Sequence, residues 1–193
     1  MAKWLLFHFS YVIHTKHLGL VFRGTTGMKP ATVYVDADWA GDVETRRSMS
    51  GFGALMTGAL VAWGARQQEV VALSSAESEY ISLCNGIKET IWLRRLIRGL
   101  RVVPDADKPT TVLLDNKAAD ALAHSSAVNR RNKHIATRFH FNRQAVQDGV
   151  VTLKYCPTEE MLADMFTKPL GRVKLQKFVA DAGMNETESA STQ

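Results

Sequence analysis

Apolar positions recur along this chain with two periods. Tyr80, Leu83, Cys84, Ile87 and Ile91 fall at helical spacing and make one apolar stripe. Ser74 with Glu77 three positions on reads as a capping-box start and Gly99 as a stop, so the spacing predicts a long helix over 74–99. The stretch "ATVYVDADW" is rich in β-branched and aromatic side chains and predicts a strand. "SGFGALMTG" and "ALVAWGARQQ" predict two more, joined as a hairpin near Gly58 after the polar loop "GDVETRRSMS". "TTVLLD" is a short, continuously apolar strand of the buried kind, and "VVTLKYC" is another, closed by Pro157. Smaller helices are expected from about Asn116 to His124 and from about Lys133 to Asp148. Thr158 is placed to cap a helix through "EEMLADMFT" that Pro169 breaks, and a last amphipathic helix runs through "RVKLQKFVADAG".

The order is three strands, helix, strand, helices, strand, helix. The first three strands suit an antiparallel meander, and the later ones, returning through helices, suit parallel pairing with the first. The expected fold class is α/β, a mixed five-stranded sheet flanked by helices. Residues 1–28 stand apart as a helix, the strand "GLVF" and a Gly/Thr-rich link, with Pro30 as the boundary; 29–183 form the domain, and the polar stretch 184–193 reads as a disordered tail.

Composition narrows the class. With 193 residues and 46% hydrophobic positions, the chain suits one domain with a short appendage. Cys84 and Cys156 lie far apart without metal spacing and read as reduced core residues of an intracellular protein. Histidines interrupt the opening "MAKWLLFHFSYVIHTKHLGL", no cleavage site follows it, and it is too short to span a bilayer, which speaks against a membrane protein. The formal net charge is +5 and the pI about 9.3. Basic residues cluster at 88–101, 130–143 and 168–177, around the acidic positions considered next, and point to a phosphate-binding surface.

The carboxylates raise the chemical question. Asp36 ends the first strand of the domain and Asp115 the fourth; if those strands are parallel neighbours, both acids reach one point at the carboxyl edge of the sheet. Like charges that close imply a raised pKa or a bound cation. Hard oxygen ligands without a Cys/His set favour Mg²⁺ or Mn²⁺ over zinc. Glu79, one turn inside the long helix, is a third candidate, though by itself it reads as an ordinary helix glutamate. Asp164 is a fourth, though an (i, i+4) pair with Lys168 accounts for it as well. Spacing alone leaves Asp36 and Asp38 equivalent, since both face one side of a strand.

Six segments, "YVDADWAGD", "RRSMSGF", "ALSSAESEY", "LLDNKAA", "RNKHIATRFHF" and "PTEEMLADMFTKPL", resemble in order the ribonuclease H domain of Ty1/copia-type retrotransposon Pol polyproteins. The resemblance runs from about residue 31 to 181, and "YVIHTKHLGL" looks, more loosely, like the end of the reverse-transcriptase connection before that domain, so the chain reads as a C-terminal fragment of such a polyprotein. It implies a ribonuclease H-like fold and a catalytic, metal-binding set of Asp36, Glu79, Asp115 and Asp164. It implies two Mg²⁺ ions, with Mn²⁺ as substitute, and hydrolysis of the RNA strand of an RNA–DNA hybrid beside a reverse-transcriptase domain. Arg46, Arg47, Ser48, Asn116, Arg131, Lys133 and His134 become candidates for gripping the hybrid by shape and phosphates. The expected location is a cytoplasmic virus-like particle or the nucleus. The family's loop histidine after the last strand is missing from "CPTEE"; His134 or His140 could substitute. The competing reading is a catalytically silent, truncated or domesticated remnant that only binds nucleic acid.

Overall fold

The computed structural model describes residues 13, 15–22, 30–101, 107–124 and 136–186. Strands β1 (Leu18–Leu20), β2 (Thr32–Asp38), β3 (Met49–Met56) and β4 (Ala59–Gln67) precede helix α1 (Ser75–Leu100). Then come β5 (Thr110–Leu114), α2 (Lys117–His124), α3 (Ala136–Gln147), β6 (Val151–Tyr155), α4 (Asp164–Thr167), α5 (Arg172–Asp181) and β7 (Met184–Glu186).

Five strands form the mixed sheet that the apolar runs predict, in the order β4-β3-β2-β5-β6. β2 is central. It pairs antiparallel with β3, setting Asp36 opposite Gly51, and parallel with β5, setting Tyr34 beside Leu113. The β3–β4 hairpin closes through Thr57 and Gly58, both at positive φ (54° and 82°), a turn that matches the twist of the strands. Alternation sorts β2 between two layers. Val33 and Val35 join Val112, Leu114, Leu83, Ile87 and Phe139 in the main core under α1 and α3. Tyr34, on the opposite face, packs against two smaller clusters built from Leu162, Phe178, Met161 and Cys156 under α4 and α5.

Several local signals behave differently from expectation. Ser74 caps α1, its Oγ accepting from the Glu77 amide, and the Glu77 carboxylate accepts from the amide of Leu73. Gly99 does not stop the helix; Arg101, at φ 54°, does, its amide bonding to the Arg98 carbonyl. The helix expected from Thr158 forms only over Asp164–Thr167, after a run of turns with bonds such as Glu160 N–H to Pro157 O. Thr158 is taken from its capping role because its hydroxyl donates to Asp115.

Residues 184–186 are no disordered tail. Gly183 turns the chain at φ 79°, and β7 pairs antiparallel with β1, Leu18 opposite Glu186 and Leu20 opposite Met184. Leu20 packs on the Leu60–Phe178–Ala182 cluster, so this ribbon fastens residues on both sides of the expected 29–183 domain to its surface. Residues 1–12, most of the expected first helix, and 187–193 lie outside the described residues, as do Lys133, His134 and Ile135, where the helix ending at Gln147 was expected to begin.

Candidate functional site

The site forms where parallel pairing brings two strand ends together. The β2–β5 register sets Tyr34 beside Leu113, and two residues further on it carries Asp36 beside Asp115, which directly follows β5. The first turns of α1 bring Glu79 to the same place. One carboxylate oxygen from each of Asp36, Glu79 and Asp115 lies within 4.8 Å of the others. Asp36 is 1% exposed, whereas Asp38, left equivalent by strand spacing, is only partly buried, lies outside that group and rests against Gly41. Serine supports the strand from behind: the Ser82 hydroxyl donates to the Asp36 carbonyl at 2.6 Å.

Asp164, fully buried at the start of α4, does not join the three-acid group. Its Oδ1 lies 2.8 Å from Lys168 Nζ, the (i, i+4) pair that its spacing allows. Its Oδ2 lies 2.6 Å from Lys174 Nζ, contributed by α5. Lys168 Nζ is also 3.6 Å from Asp36 Oδ2, so one ammonium links the two halves of the site. Thr167 donates its hydroxyl to Asp36 Oδ2, and Thr158 donates to Asp115 Oδ2 at 2.9 Å.

Burial dominates the electrostatics. Glu79 is pushed up to about 9, by loss of solvent first and then by the charges of Asp36 and Asp115, against the opposing Ala37 amide and Lys168. Asp36 is pushed up to about 6 by burial, which outweighs the Thr167 hydrogen bond and Lys168, with Asp164 and Asp115 adding to the rise. For Lys168 burial works against the charge, but the bond to Asp164 and the charge of Asp36 win and raise its pKa. Glu79 Oε2 is buried with no hydrogen-bond partner among the described residues. A buried acceptor left bare, facing two further carboxylates, fits a hard divalent cation.

The residues expected to grip nucleic acid divide. Arg46 and Arg47 are exposed on the turn after β2, where Asp42 Oδ1 accepts from the amides of Glu44 and Thr45. Ser48 is fully buried and accepts from the Ala40 amide at 3.1 Å, so it fixes this turn. Asn116 caps α2, Oδ1 accepting from Ala118 and Ala119. Arg131, Lys133 and His134 lie outside the described residues. His140 is exposed, its ring edge-on to Phe139 at 6.2 Å. The part of Thr158, Thr167 and Lys174 in the site escaped the sequence reading, because no local pattern marks a partner that lies many residues away.

No family model matches the chain. Among curated proteins it is 34% identical over 184 residues, 95% of its length, to a retrovirus-related Pol polyprotein from a transposon of Nicotiana tabacum. It is 35% identical over 151 residues, 78% of its length, to another from Arabidopsis thaliana. The chain spans 13% and 10% of the lengths of these two relatives. Among solved structures it is similar to the N-terminal RNase H domain of a Mycobacterium tuberculosis protein, with a TM-score of 0.53 and 12% identity, over 76% of this chain and 96% of that one. It is also similar to LC11-RNase H1 solved in complex with an RNA/DNA hybrid, with a TM-score of 0.50 and 12% identity over 71% of this chain and 93% of that one. At such identity the structural likeness speaks for the fold, and the transposon relatives speak for the lineage. The chain therefore has the ribonuclease H fold and belongs to the Ty1/copia-type retrotransposon Pol polyprotein family.

Proposed function

We propose that this domain is a Mg²⁺-dependent endonuclease that hydrolyses the RNA strand of RNA–DNA hybrids, as the ribonuclease H part of a copia-type reverse transcriptase. The observation that carries the reading is the convergence of Asp36, Glu79 and Asp115 within 4.8 Å, with Glu79 Oε2 buried and bare. Asp36, Glu79 and Asp115 would hold one ion, and Asp36 with Asp164 would serve a second; Mn²⁺ fits the same oxygens. When bound, such ions activate the attacking water and stabilise the leaving 3′ oxygen.

The chain's own residues do the rest. Thr167 and Lys168 orient Asp36, and Thr158 orients Asp115, so each acid presents a fixed oxygen to the site. Arg46 and Arg47, exposed on the turn after β2, are proposed to take phosphates of the hybrid, and Arg131, Lys133 and His134 are proposed for the same role. Substrate choice would then rest on the shape of the hybrid and its 2′-hydroxyls, with no base edge read. The reverse-transcriptase domain of such a polyprotein is the proposed partner.

The test is incubation of the purified chain with labelled hybrid, with and without Mg²⁺, beside D115N. Cleavage of the hybrid, sparing duplex DNA and lost in D115N, supports the proposal. Binding of the hybrid without cleavage in Mg²⁺ or Mn²⁺ would replace it with the remnant that only binds nucleic acid.

A further inference from the structure

Resting on that reading, we propose that Lys174 is a positioning residue that closes the Asp164 side of the site, so that the free domain takes up one cation at Asp36, Glu79 and Asp115 and binds a second far more weakly. The site is lopsided in charge. On one side three carboxylates crowd together and one oxygen of Glu79 has no partner among the described residues. On the other, Lys174 Nζ donates to Asp164 Oδ2 at 2.6 Å and Lys168 Nζ lies 2.8 Å from Oδ1, a charge contact that leaves Oδ1, like Glu79 Oε2, without a hydrogen bond among the described residues. A cation approaching Asp164 meets two ammonium groups at 2.8 and 2.6 Å, whereas near the three-acid group Lys168 stands further off, 3.6 Å from Asp36.

Lys174 differs from Lys168 in how it is held. Lys168 lies between the two sides of the site, 2.8 Å from Asp164 Oδ1 and 3.6 Å from Asp36 Oδ2. Lys174 comes from a different helix and is fixed by three partners: Asp164 Oδ2, the Thr158 carbonyl at 2.9 Å, and the ring of Phe178, whose centroid is 5.3 Å away. Phe178 is fully buried, so the ammonium leans on an immobile surface. Thr158 in turn donates to Asp115, which makes a continuous chain from Asp115 through Thr158 and Lys174 to Asp164. Lys174 therefore puts a positive charge against Asp164 and ties its place to that of Asp115. This chain occupies the loop from which the expected histidine is missing.

Removing one positive charge next to Asp164 strengthens attraction for a cation there, by an amount on the order of tenfold or more in affinity at the effective dielectric of a partly buried site. The experiment is a Mn²⁺ titration of the full chain followed by the electron paramagnetic resonance signal of free Mn²⁺, with no substrate present. In the wild type one ion binds well and a second much more weakly. K174M is expected to tighten the second ion tenfold or more and leave the first within a few-fold, and K174R to restore the weak second site. K174Q, which keeps a donor to the Thr158 carbonyl without the charge, gives the same reading if K174M does not fold. Equal second-ion affinity in wild type and the neutral variants, or K174R behaving as K174M does, overturns the proposal. A wild type that binds no ion, or a first site indifferent to D115N, overturns the metal-site reading beneath it, which is a different result from failure at Lys174 alone.

Discussion

Thr167, the last residue of α4, donates its hydroxyl to Oδ2 of Asp36, 131 positions earlier in the chain. Both side chains are buried, and the bond fastens the short helix that carries Asp164 to the central strand that carries Asp36. Lys168 Nζ lies further from that oxygen, at 3.6 Å. The threonine therefore supplies the close partner that a carboxylate in this position needs.

T167V keeps the shape of the side chain and removes the donor. Leaving a buried acceptor short of a partner costs about 1–3 kcal/mol, so urea unfolding without divalent ions should show a loss in that range. Saturating Mg²⁺ should shrink the loss, because a cation at Asp36 supplies what the hydroxyl did. T167S, which retains the hydroxyl, should lose less. A T167V protein as stable as wild type in EDTA would show that the bond contributes nothing.

The structure separates the two aspartates of β2, and kinetics should as well. D36N removes an acid from the centre of the cluster and should lower hybrid cleavage by roughly 10²–10³-fold, the range seen when one electrostatic contributor is lost. D38N alters a partly exposed carboxylate outside the cluster and should stay within about 0.5 kcal/mol of wild-type stability while retaining cleavage. The reverse ranking would mean that the wrong first-strand acid has been assigned.

Stability without metal should fall as pH rises. Folding lifts Glu79 from 4.5 to about 9 and Asp36 from 3.8 to about 6. Between those limits the folded chain keeps protons that the unfolded chain has released, so unfolding liberates protons and higher pH favours it. The contribution is complete below the unfolded values and is lost as pH climbs through the folded ones. Thermal unfolding in EDTA should accordingly give a Tm that declines from pH 5 to pH 9, with E79Q removing most of the decline. Mg²⁺ displaces the same protons, so its stabilising effect should grow with pH. A flat profile in EDTA would contradict the burial assigned to Glu79.

The sheet was legible because apolar runs and turn residues act locally, and the adjacency of Asp36 and Asp115 followed from parallel pairing alone. Choosing between Asp36 and Asp38 was not legible, since both share a face of β2; the turn that draws Asp38 over Gly41 makes the distinction. The helix expected from Thr158 failed for a related reason. Its hydroxyl is a capping group by local rules, but its partner is Asp115, 43 positions away. β7 was hidden by its polar composition, because main-chain pairing with β1 places little demand on the side chains. Lys174 and Thr167 fall in patterns that mark a basic cluster and a helix, and neither pattern points to the distant acid each one holds.

Gly51 gives the last prediction, because α4 rests on its backbone. A Cβ added there would stand 2.6 Å from Thr167 Cγ2, 3.0 Å from Phe166 Cβ and 3.1 Å from the Ala163 carbonyl oxygen. The carbonyl belongs to the backbone and cannot rotate aside, so G51A must push the whole short helix away from β3. Gly51 also faces Asp36 across the β2–β3 pairing, so that displacement pulls Thr167 from Asp36 and shifts Asp164 and its lysines together. Overpacking of this kind costs about 1–3 kcal/mol, and cleavage should fall further than the loss of folded protein explains. G99A is the matched control. Nothing lies within 4 Å of a Cβ at Gly99, on the exposed last turn of α1, so alanine there should stabilise by up to about 1 kcal/mol through helix propensity and leave cleavage unchanged. A G51A protein with wild-type Tm and full cleavage would mean that α4 is not seated on the sheet as described, and the placing of Asp164 beside Asp36 would fall with it.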